Sequence, residues 1–128
     1  MPSIEKLYEN LGKLFYAIAA ADKVIHEEEI ETLEKIVRED WVKVDDLKDE
    51  FGTDEAFYIE IMFDWMQENS PPAFQAFYEF KDFKEENEKM FTPKIKELTW
   101  KTAESIAASF ESKDPAEETL LSKLKEIL

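Results

Sequence analysis

Cysteine is absent from this 128-residue chain, and glycine, histidine and arginine are nearly so, at two, one and one. Without cysteine there is no disulfide framework, thiolate zinc site, iron–sulfur cluster or cysteine nucleophile. Gly12 and Gly52 stand far apart, so no glycine-rich loop brings backbone amides around a phosphate. The single histidine, His26, excludes a histidine-rich catalytic metal site and stands in no triad-like motif. Long apolar runs are also missing. The longest, Leu14 to Ala21, has eight residues, against the roughly 20 that cross a bilayer. Met1-Pro2-Ser3 leads into an amphipathic segment rather than a basic and then apolar leader. A soluble, cytoplasmic protein is the expectation. Positive charge is scarce, with 16 basic residues against 31 acidic ones and a net charge of −15. Nucleic acid is therefore not an expected partner, because binding it needs a cationic face that releases counterions.

The acids are unevenly spread. Residues 1–40, 41–92 and 93–128 carry net charges of −5, −9 and −1. The middle third holds most of the negative field, which reads either as solvated helix faces or as a cation-attracting surface.

Apolar residues recur at Ile4, Leu7, Tyr8, Leu11, Leu14, Phe15 and Ile18, the spacing of an amphipathic helix. Ser3 is its expected N-cap, and the helix should stop near Ala21. Asp22–His26 reads as a connection to a second helix with Ile30, Leu33, Ile36 and Val37 inward. Asp45 is a cap for a short helix carrying Leu47 and Phe51 and ended by Gly52. Thr53 or Asp54 caps the next, which bears Phe57, Tyr58, Ile61, Met62, Trp65 and Met66 until Pro71-Pro72 ends it. A helix with Phe74, Phe77, Tyr78, Phe80 and Phe83 follows. Thr92-Pro93 opens another that reaches about Phe110, and Asp114-Pro115-Ala116-Glu117 caps the last. No segment alternates like a strand. The expectation is one all-α domain, 1–128, of about seven helices.

A shift of 88 residues aligns 11–40 with 99–128 without a gap and gives seven identical pairs, among them Ile18/Ile106, Ala19/Ala107, Glu29/Glu117 and Leu33/Leu121. Two helix–break–helix hairpins are expected, one at each end, packed around an aromatic-rich central helix. Ten aromatics fall between Phe57 and Phe91. Those of 74–83 sweep about 220° of a helical wheel, more than a surface helix needs. That helix is either enclosed on most sides or presents an aromatic patch to a partner.

At Ala20-Ala21-Asp22-Lys23-Val24-Ile25-His26-Glu27-Glu28-Glu29, followed by Leu33, the chain resembles the tellurite-resistance TerB-like family. The N-terminal domain of membrane-anchored DnaJ-like co-chaperones is similar. In that pattern a helix ends in small residues, then comes Ala-Asp-Gly, an apolar residue, and a glutamate opening the next helix. Here Lys23 replaces the glycine, and the second copy keeps Glu117 but has Phe110 in place of the aspartate. The resemblance covers the two hairpins and implies an all-helical fold, a link to stress, and carboxylates that bind a divalent cation.

Asp22 and Glu29 match the family's carboxylates, and Glu27 and Glu28 stand beside them to complete an oxygen shell for Ca²⁺ or Mg²⁺. The spacing is not that of an EF-hand, since position 12 counted from Asp22 is Leu33. The competing reading is structural. With His26 as N-cap, Glu29 falls at N3 and folds back onto the cap's N–H, while Asp22 satisfies loop amides. A glycine would suit a left-handed residue at position 23, where a lysine costs on the order of 1 kcal/mol. His26 is itself a cap, a ligand or a pH switch. No catalytic constellation is present, so an enzyme is not expected. Two functions remain: a non-enzymatic acidic module acting through protein contacts, or a divalent-cation-binding protein centred on the first break.

Overall fold

The computed structural model describes residues 3–44, 55–109 and 115–128. Among them lie six α-helices, three short 3-10 segments and no strand, as the periodicity predicts. The expected caps Asp45, Thr53, Asp54 and Asp114, the short helix with Leu47, Phe51 and Gly52, and Phe110 lie outside the described residues.

The first helix, α1 (Ile4–Ala19), starts where Ser3 Oγ accepts from the Lys6 N–H at 3.2 Å. It is buried on nearly every side. Leu7, Leu11, Leu14, Phe15, Ala17 and Ile18 have no exposed surface at all. The central position therefore belongs to α1, on which α3, α4, α5 and α6 all pack. At Gly12 the approach of α3 is so close that an added Cβ would lie 2.6 Å from the Ile59 carbonyl oxygen.

Helix α2 (Glu27–Glu39) has His26 as its N-cap and runs into a 3-10 turn, Trp41–Lys43. Trp41 is buried edge-on to Tyr8, and its Nε1 donates to Thr102 Oγ1 at 3.0 Å, which ties the end of α2 to α5. After a 3-10 segment at Glu55–Phe57, α3 (Tyr58–Asn69) ends on Ser70 in the left-handed region, with φ 49°. Pro71 and Pro72 lead straight into α4 (Ala73–Glu86). Helix α5 (Pro93–Ala108) begins on Thr92, whose Oγ1 accepts from the Ile95 N–H, and α6 (Pro115–Ile127) closes the chain.

The 88-residue offset maps α2 onto α6 residue for residue. Two of its apolar positions are buried in both copies: Leu33 and Leu121, Ile36 and Leu124. Each hairpin's second helix reaches across to the other hairpin's first, α2 onto α5 and α6 onto α1, so the two ends of the chain share one continuous core. The aromatic helix α4 buries Phe77 and Phe80 but leaves Phe74 and Tyr78 exposed. The wide arc read from the sequence is thus covered on one flank and open on the other.

Candidate functional site

Two places stand out, the junction between the hairpins and a trough between α3 and α4. At the junction, Asp22 Oδ1 accepts from the Val24 N–H at 3.1 Å, so this carboxylate closes the loop after α1. Lys23 occupies the left-handed region with φ 71°, the conformation for which glycine is suited. His26 Nε2 stands 3.8 Å from Asp22 Oδ2. Glu29 Oε1 accepts from the His26 N–H at 2.8 Å, the glutamate half of a capping box. Glu27 and Glu28 point to solvent in the first turn of α2.

Glu29 has a second partner. Its carboxyl is hydrogen-bonded to that of Glu117, its own equivalent in the second hairpin, and both are almost completely buried. Two carboxyl groups bond to each other only when one holds a proton. Burial pushes the Glu29 carboxyl up, with repulsion from Asp22 and Glu28 adding to it; the bonds from His26 and Glu117 pull the other way. The repeat thus brings its two glutamates face to face. Among the described residues, no group of three or more histidine, aspartate or glutamate side chains is arranged to hold a metal ion.

The trough has a different chemistry. Helices α3 and α4 are joined by three residues, yet each packs chiefly on α1, leaving an open channel between them. Its volume is about 430 Å³. Ile61, Met62 and Trp65 form one wall, Gln75 and Glu79 the other, and Lys13 of α1 lies at the base. Ile61 and Trp65 are 59% and 55% exposed. Lys13 Nζ meets Glu79 Oε1 at 3.0 Å, and Gln75 Nε2 donates to the other carboxylate oxygen at 3.2 Å. Burial opposes the charged form of Glu79, but these two bonds and the lysine's charge outweigh it and hold the carboxyl below its ordinary range. The polar floor is therefore internally satisfied. What the trough offers a ligand is apolar surface.

The periodicity places Ile61, Met62 and Trp65 on one helix without separating its inward from its outward side. A signal was available. From Phe57 to Met66 the apolar residues sweep about 240° of a wheel, even wider than the arc of 74–83. An arc that wide on a helix packed on one side leaves apolar residues outside.

Comparison of the chain with protein-family models, with curated proteins and with solved structures gives no match.

Proposed function

We propose that this chain is a non-enzymatic helical module that acts through protein contacts, with the trough between α3 and α4 as its docking surface. The observation that carries the reading is the pair Ile61 and Trp65, large apolar side chains more than half exposed beside an open channel. Isolated exposed apolar residues need no explanation, but adjacent ones lining a concavity mark interaction sites. Tryptophan in particular concentrates binding energy when a partner buries it. The alternative, a cation-binding protein centred on Asp22 and Glu29, draws less support. One oxygen of each carboxylate already accepts a backbone hydrogen bond, and Glu29 is paired with Glu117. A stress-related, TerB-like role in the cytoplasm belongs to the same proposal and rests on the motif around Asp22. Among the described residues no helix is long and apolar enough to cross a membrane.

A photo-crosslinking residue at position 61 tests the docking surface in cells, with the same residue at exposed Lys125 on α6 as control. A discrete adduct at 61 that disappears with Trp65→Ala is the expected result. Identical adducts at both positions would refute it.

A further inference from the structure

We infer that the occupant of the trough is an amphipathic helix carrying lysine or arginine beside its apolar stripe, supplied by another protein. This rests on the trough being a docking surface and adds the chemistry of what docks. Shape comes first. Helix α3 has 12 residues, about 18 Å of wall, which matches three turns of a helix laid lengthwise. Side chains at every third or fourth position then meet Ile61 and Trp65. Met62 on the same wall is unbranched and adaptable, which suits repacking around inserted side chains.

Charge decides the rest. From 58 to 86 the two walls carry seven acids and two lysines. Both lysines are already paired, Lys81 with Glu85 and Lys84 with Glu88. On the wheel of α3, exposed Glu68 falls within about 60° of both Ile61 and Trp65, and exposed Asp64 within about 60° of Ile61. On α4, exposed Asp82 and Glu86 continue the edge begun by Gln75 and Glu79, again within about 60°. An apolar channel between two acidic rims is complementary to an apolar stripe between two basic flanks. The cation at its base, Lys13, is occupied by Glu79, so an acidic helix would find only repulsion at the rims. A second copy of this chain is disfavoured for the same reason, since each carries −15.

The test is a selection from a displayed library of amphipathic helical peptides with a fixed apolar stripe and randomised flanks, against the intact protein. The expected pool is enriched in lysine and arginine over aspartate and glutamate at the flanks. A synthesised peptide from that pool should bind saturably and weaken steeply between about 0.05 and 0.3 M salt. Trp65→Ala and Ile61→Ala should each weaken it about tenfold or more, while Phe74→Ala, an exposed aromatic outside the trough, should leave it unchanged. Circular dichroism of each variant checks that the fold is kept. A pool that depends on Trp65 but shows no basic bias would overturn this inference and leave the docking surface standing. Binding that is indifferent to both Ile61 and Trp65, or no enrichment at all, would overturn both.

Discussion

Lys23 holds a backbone conformation that its side chain disfavours, φ 71° directly after the turn that ends α1. A β-carbon in that region costs about 1 kcal/mol. Lys23→Gly should therefore raise stability by up to about 1 kcal/mol, whereas Lys23→Ala, which keeps the β-carbon, should gain nothing; urea denaturation of both variants separates the two. Six residues on, the Glu29–Glu117 pair makes stability depend on pH in a defined direction. The Glu29 carboxyl titrates higher in the fold than in the unfolded chain, chiefly through burial. Between those two values the native state holds more protons than the unfolded one, so stability falls as pH rises. The contribution is full below the ordinary glutamate range and is lost as pH passes through the raised value. Glu117→Gln supplies a permanent N–H donor to Glu29 and removes the need for the shared proton. Denaturation at a series of pH values should show that decline flattened in the variant; an unchanged decline would mean that the pair shares no proton.

Between elements, α1 and α3 come close together at Gly12, where an added methyl would meet the Ile59 carbonyl at 2.6 Å and Met62 Cβ at 2.8 Å. Backbone cannot swing aside as a side chain can, so Gly12→Ala should cost about 1–3 kcal/mol by overpacking, read as a lowered denaturation midpoint. The docking of α6 is tested by Leu121→Ala. This side chain is buried, and its truncation should cost about 2–5 kcal/mol; a negligible shift would mean that the last helix is not part of the core. That helix was legible in the sequence because a repeat carries its burial pattern with it: Leu33 and Ile36 of α2 foretell Leu121 and Leu124 of α6. His26 as cap and Glu29 folding back on it were legible for a similar reason, since an N-terminal capping pattern is local in sequence. The open trough was legible only in part, since the wide apolar arc of 57–66 says that some of these side chains stay outside but not which. Whether Ile61 and Trp65 face inward depends on α4 packing against α1 instead of against α3, and no periodicity within α3 encodes where its neighbour goes. The meeting of Glu29 with Glu117 was half visible, since the offset named them as equivalents but not as contacts.

For the molecule as a whole, the dominant physical fact is a net charge of −15 on a small helical body. Like charges at that density repel one another more strongly in the compact state than in the expanded chain. Added salt therefore stabilises the fold by screening, over a Debye length that shrinks to about 10 Å at 0.1 M. Calcium or magnesium will screen too, and a rise in melting temperature with either ion is no sign of a site. The discriminating comparison is between Asp22→Asn and wild type, each titrated with Ca²⁺ and with NaCl at matched ionic strength. A specific site at Asp22 and Glu29 would make the calcium response saturable, larger than that to sodium, and absent in the variant, because a ligand that prefers the native state stabilises it by mass action. The geometry argues for the other result. Asp22 is engaged with the Val24 N–H, and Glu29 with the His26 N–H and with Glu117. A cation would have to compete with those bonds for oxygens that a buried pair already holds in place. Parallel curves for wild type and Asp22→Asn are accordingly expected, with divalent ions acting on the whole acidic field and the loop carboxylates serving as caps.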